Sequence, residues 1–394
     1  MRRQRKPEFT EIFKHFLHSE KTGGLILIFC TVVSILVANS PAANDYLHFW
    51  HSKLALNVQS VHLDFSLEDW INEGLMTIFF LMIGLEIERE LYVGELKNIN
   101  HAILPIMAAV GGMVVPALIH FGLNHGSPTQ AGMGIPMATD IAFSLGLLSL
   151  LGTKSPPALK IFLTALAIID DLGAVIVIAI FYTREFSLMH LSIALGIFMF
   201  MIILNRLNVF IIWIYLLLGI FMWYFMLKSG VHATVSGVML AFAIPFRKNW
   251  VDHPSSRLQK FLHQPVNLLI IPFFALANTG IQLSSGWVAQ LKSPNSLGII
   301  FGLFLGKPIG IYCFCLLAVS MKWCRLPVGI QWKVLLSAGI LAGIGYTMSI
   351  FISNLAFGES GTLVEQSKIA VVFGSLLSGI LGLFALKWTL RKSA

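Results

Sequence analysis

Apolar stretches of roughly 20 residues, long enough to span a bilayer core as helices, recur from one end of this sequence to the other. In lipid a helix satisfies its own backbone hydrogen bonds, which leaves such stretches few alternatives. The composition agrees, with 56% of residues hydrophobic and 12% charged, against roughly 25% charged in an ordinary soluble domain. Such a chain has too little polar surface to cover itself in water. The expected fold is therefore an all-α polytopic membrane protein, one integral membrane domain over residues 1–394. Apolar runs and their polar breaks place twelve spans near 23–38, 71–85, 102–121, 134–151, 158–182, 189–205, 209–228, 231–246, 265–280, 298–320, 332–357 and 367–388. No cleavable signal peptide is evident. The basic, amphipathic start, MRRQRKPEFTEIFKHFLHSEK, is expected to lie along the membrane surface.

The net charge of +8 does not point to nucleic acid, because the basic residues sit in short segments between apolar spans. With a cytoplasmic N-terminus, 21 of the 27 lysines and arginines fall on the cytoplasmic side and five on the other, leaving Lys307 inside a span. That asymmetry and the even span count place both termini in the cytoplasm. Cys30, Cys313, Cys315 and Cys324 have no histidine or acid nearby to complete a metal site, so they read as small buried apolar side chains. The long outside loop, about 39–70, contains LALNVQSVHLDF. It is either an irregular loop or a small β-hairpin whose exposed edge pairs with a second protomer.

A charge inside the bilayer costs roughly 2.5–3.5 kcal/mol even on the lenient insertion scale. Asp140, Asp170, Asp171 and Lys307 incur that cost well away from span ends. In ALKIFLTALAIIDDLGAVIVIAIFY, Asp170 lies roughly 18 Å from the start of the span at 1.5 Å per residue, near the membrane middle. Neighbouring helical residues point about 100° apart, so one carboxylate can face a water-filled site while the other turns to a partner helix. A structural salt bridge would explain one buried acid more readily than two.

Gly134 and Pro136 interrupt the fourth span just before Thr139 and Asp140. A broken span is expected there, with its freed backbone groups lining a cavity or buried in protein. Asp140 would then offset the positive end of a half-helix. Gly339, Gly343 and Gly345 precede Thr347 in the eleventh span in a similar way. Two interrupted spans at corresponding places in two halves suggest inverted three-helix repeats, about 102–182 and 298–388, with crossing discontinuous helices.

These segments resemble the NhaA family of bacterial sodium/proton antiporters, one of the type examples of inverted-repeat transporters. The resemblance covers nearly the whole chain and is carried by GLEIERE, GGMVVPAL, IPMATDIAFSLG, ALKIFLTALAIIDDLGA, KSGVHATVSG, LGKPIG and GIGYTMSIFISNLAFG. It implies an electrogenic exchanger in the bacterial inner membrane that moves sodium or lithium out and protons in, regulated by pH and needing no cofactor. It also implies Asp171 as the main ion ligand and Asp170 as a proton carrier paired with Lys307. Asp140 and Thr139 would assist at the crossing, with Asp140 and Lys307 offsetting half-helix dipoles. The outside hairpin would be a homodimer contact. Glu86, Arg89 and Glu90 would form a pH-sensing funnel, although a solvated helix end would look the same in sequence. His232 matches a family position, but a lone histidine at a span entrance is more often structural. Where family members carry acids before span nine, this chain has Lys248 and Gln259, so the resemblance does not carry over a pH range of activation.

The chemistry is consistent with that resemblance. Sodium, a hard cation, takes oxygen ligands, and burial disfavours the ionised form of a carboxyl, so the same groups can hold either ion. A sodium-coupled solute symporter would need a polar or aromatic pocket for an organic substrate. An intramembrane aspartyl protease would need two carboxylates face to face; Asp170 and Asp171 diverge, which leaves Asp140 with Asp171 as the pair open to that reading. A passive channel gains nothing from a buried lysine.

Overall fold

The computed structural model describes residues 20–58, 61–152, 155–183, 186–246, 253–283, 286–358 and 360–391. The amphipathic start expected to lie on the membrane surface falls outside the described residues, as does Lys248. The chain begins with α1 (Glu20–Ala38), followed by α2 (Ala43–His51), which turns away from α1 by 116°. An antiparallel hairpin follows, β1 (Lys53–Val58) and β2 (Val61–Ser66), in the register Lys53 to Ser66 through Val58 to Val61. The outside loop is therefore a hairpin rather than an irregular segment. Ser66 then caps the next helix in a capping box with Asp69, fixing where the chain re-enters the bundle.

The helices that follow are α3 (Leu67–Tyr92), α4 (Ile99–Asn124), a 3₁₀ segment (Pro128–Met137) leading into α5 (Ile141–Ser149), and α6 (Pro157–Phe181). Then come α7 (Leu188–Arg206), α8 (Ile212–Lys228), α9 (Thr234–Ala243), α10 (Pro254–Asn278) and α11 (Pro294–Ser320). The chain finishes with α12 (Trp332–Ala342), α13 (Tyr346–Phe357) and α14 (Gly361–Arg391). Among the described residues, eight helices are long and apolar enough to cross a membrane, or up to ten if each bent pair is one span. The remaining two expected spans correspond to α8 and the ten-residue α9, which are apolar but shorter.

The helix boundaries differ from the sequence expectation where polar turns continue a helix. α10 starts at Pro254 rather than near 265, because PSSRLQKFLHQP is an amphipathic helical turn sequence capped by His253. α14 starts at Gly361 rather than near 367. Cys313 is also a correction: it is exposed, whereas Cys30, Cys315 and Cys324 are buried. A position on a helix face turned towards lipid reads as apolar in sequence just as a core position does.

Apolar side chains cover the outside of the bundle as well as its core, and the few buried charges are set within that core. Only 11% of the apolar window of α7 is buried, as expected of a helix that presents itself to lipid. By contrast, α4 and α11 approach so closely that a Cβ on Gly111 or on Gly310 would collide with the other's carbonyl oxygen. Such close crossings of small residues are how helices associate where lipid removes the hydrophobic drive. A wide π turn at Gly302–Gly306 immediately precedes Lys307 in α11, and such turns are frequent at functional sites.

Candidate ion-exchange site

Both expected breaks are present, and they meet. In the fourth span, the 3₁₀ segment ends at Met137, residues 138–140 are extended, and α5 begins at Ile141. In the eleventh, α12 and α13 are bent by 47° about Gly343–Gly345. The freed backbone groups pair across the crossing: the Asp140 N–H donates to the Ile344 carbonyl at 2.6 Å, and the Thr139 hydroxyl to the Ala342 carbonyl at 3.0 Å. Gly345 is required here, since a Cβ would press on the Ala138 carbonyl at 3.0 Å and on the Ser349 hydroxyl.

One carboxylate serves two helix starts. Asp140 Oδ1 accepts from the Phe143 N–H of α5 at 3.0 Å, while Oδ2 accepts from the Thr347 N–H of α13 at 3.1 Å and the Thr347 hydroxyl at 2.6 Å. A negative charge between two helix N-termini is well placed, because each carries roughly half a positive charge. Lys307 does the converse. Its ammonium donates to the carbonyl of Met137, at the negative end of the 3₁₀ segment, and to Asp170 Oδ2 at 2.7 Å. Thr139 also donates to Asp170 Oδ2, at 2.8 Å. The Asp170 and Lys307 side chains are both 0% exposed.

The two adjacent aspartates do diverge. Asp171 faces a cavity of about 590 Å³ instead of the lysine. Exposed Arg89, Lys160 and His263 stand at its mouth, where α3 ends and α6 begins, and buried Thr139, Asp140, Asp171 and Thr347 form its floor. Asp171 Oδ1 is buried without a hydrogen-bond partner. An acceptor held in that way is suited to an ion or a proton arriving by the funnel, since an unsatisfied buried acceptor is costly.

The remaining expected residues divide between two places. Glu86, Arg89 and Glu90 line the cavity near its mouth, with Arg89 bonded to Glu90 Oε1 at 2.9 Å and 3.8 Å from Glu86 Oε1. Gln259 lines it as well. His232 is elsewhere: its ring bonds Glu73 Oε1 at 3.4 Å and the Tyr182 carbonyl at 3.0 Å, clamping the entry to α9. Thr347 was legible only as the partner of a glycine-weakened span. Its role as the second donor to Asp140 depends on a tertiary contact.

Broken helices crossing around buried charges, with one carboxylate at the end of a funnel, define a secondary ion transporter. The sequence matches the family model described as Na+/H+ antiporter 1 over residues 14–386. It is 55% identical over 386 residues to the Na(+)/H(+) antiporter NhaA of Flavobacterium psychrophilum, covering 98% of each chain. It is 54% identical over 378 residues to that of Dechloromonas aromatica (95% of each) and 53% over 383 residues to that of Cytophaga hutchinsonii (97% of each). The chain belongs to the Na+/H+ antiporter 1 family, which is a family of transporters and not of enzymes.

Proposed function

We propose that this protein extrudes sodium or lithium in exchange for protons, by competition of the two for the same buried carboxylates. The observation that carries the proposal is Asp171, which lines the floor of the funnel beside the Asp170–Lys307 pair and has a buried oxygen without a hydrogen-bond partner. In this reading a cation arriving from the cytoplasm takes oxygen ligands from Asp171, with Asp140 and Thr139 close by at the crossing. Protons arriving from the other side neutralise the carboxylates and release it. Asp170 changes its partner, holding Lys307 in one state and a proton in the other. Two carboxyl protons entering against one departing sodium move one net positive charge inward, so the exchange is electrogenic.

Glu86, Arg89 and Glu90 set the potential at the funnel mouth and thereby the pH response; His232 is assigned a structural role instead. Adding α8 and α9 to the ten longer spans supports a count of twelve. The matching breaks support inverted repeats, with α4 to α6 against α11 to α14. The lysine and arginine asymmetry favours cytoplasmic termini and an inner-membrane location. The hairpin, with Leu54 exposed on β1, is the proposed homodimer edge.

The test is an everted-vesicle assay of a preformed proton gradient. Adding sodium or lithium should collapse the gradient, with little effect from potassium. A gradient indifferent to sodium and lithium across the pH range would contradict the exchange reading.

A further inference from the structure

The funnel opens at the end of the bundle where α3 ends and α6 begins, and alternating access requires the opposite route to be closed while this one is open. Three asparagines from three spans meet on that opposite side. Asn278 of α10 donates to Asn72 Oδ1 of α3 at 2.9 Å, and Asn72 donates back to Asn278 Oδ1 at 3.3 Å. Asn354 of α13 donates to the same Asn278 oxygen, and Asn278 also donates to the Phe274 carbonyl at 3.0 Å. The Asn354 Oδ1 is buried with no hydrogen-bond partner.

The position of the cluster is informative. α3, α10 and α13 each supply a residue to the funnel wall (Phe79, Ile271 and Thr347). On each helix the asparagine lies two turns further along, about 10 Å at 1.5 Å per residue. α3 packs along α10 on one side of the funnel; α13 is tied through Thr347 to Asp140 at the start of α5, so we group it with the wall that carries the buried charges. The Asn354 bond thus joins the charge-bearing wall to the other wall, whereas the Asn72–Asn278 pair lies within one wall.

We propose that Asn354 closing on Asn278 is the outward gate of the exchanger, with Asn72 holding Asn278 in place. Access can alternate only if the two walls part here when the funnel closes. Opening would exchange a carboxamide–carboxamide bond for water and leave neutral carboxamide oxygens along the outward route. Such oxygens suit a hard cation, yet carry no net charge to trap it. The inference rests on the exchange reading above.

The test ties the gate shut. In a protein with Cys30, Cys313, Cys315 and Cys324 replaced by alanine, the pair Asn278→Cys/Asn354→Cys is bridged with a short, reducible bifunctional thiol reagent. Sodium-driven proton exchange in proteoliposomes should fall about tenfold or more on bridging and recover on reduction. The pair Asn72→Cys/Asn278→Cys should exchange at one rate whether bridged or reduced. Full exchange by a bridged 278/354 pair would overturn the gate. Absence of exchange in the unmodified protein would instead contradict the underlying reading. If the 278/354 pair is inactive even when reduced, Asn354→Ala decides. Labelling of Asn72→Cys by an impermeant maleimide from the outside should rise about fivefold when that one buried bond is lost, and unchanged labelling would overturn the proposal.

Discussion

Replacing Lys307 with alanine should destabilise the protein in a way that depends on pH. Lys307 and Asp170 are both fully buried, 2.7 Å apart, and the variant strands the carboxylate with the Thr139 hydroxyl. A buried carboxylate without a counter-charge takes up a proton rather than remain ionised. An aspartate in water ionises near pH 4, so that uptake costs about 4 kcal/mol at pH 7. This falls within the roughly 3–5 kcal/mol lost when one partner of a buried pair is removed. The sign with pH follows from proton counting. Above about pH 4 the folded variant binds one more proton than its unfolded chain, so it gains about 1.4 kcal/mol for each unit the pH falls. Wherever the parent pair stays ionised it has no such slope, and there the deficit should shrink to about 3 kcal/mol at pH 6. Thermal melting in detergent, followed through the nine tryptophans, measures it. Asp170→Asn added to Lys307→Ala should restore most of the stability, because it removes the stranded charge and keeps the Thr139 bond. A deficit that does not change with pH, or a double variant no better than the single one, would refute the argument.

Three further outcomes follow. Asp140→Ala removes the acceptor shared by the starts of α5 and α13 and should cost about 1–2 kcal/mol per lost cap, whereas Asp140→Asn should retain part of the capping; melting of the two variants compares them. Lowering the pH by one unit where protons and sodium compete should raise the apparent KM for sodium about tenfold for each competing proton, with the maximal rate unchanged, as initial rates over a pH series would show. Glu86→Gln with Glu90→Gln should raise the sodium KM several-fold at low ionic strength and much less at high salt, since the charges at the funnel mouth act through a screened field.

Much of this site can be read in the sequence because its elements are anomalies there. Asp170 and Asp171 are charges where lipid forbids them, and Gly134, Pro136, Gly343 and Gly345 break helices that should run on. The outside hairpin shows in its strand alternation. Other features depend on tertiary contact and leave little local trace. Thr347 becomes important only because Asp140 lies beneath it. Asn72, Asn278 and Asn354 are neutral, so they cause no conspicuous dip in an apolar run, and only packing brings them together. His232 carries a family motif, yet the fold turns it to Glu73 and away from the funnel. The start of α10 at Pro254 was hidden by its polarity, since an amphipathic turn at the end of a span reads as loop when hydropathy is the guide.

In the proposed mechanism Asp171 is the carboxylate for which sodium and protons compete. Asp171→Asn keeps the shape of the side chain, and because Asp171 Oδ1 has no hydrogen-bond partner, the change should leave insertion and melting close to those of the parent. In proteoliposomes carrying a proton gradient, the account predicts that the variant no longer exchanges protons for sodium or lithium at any pH. Sodium-driven exchange at the parent's rate by a well-folded Asp171→Asn protein would contradict it.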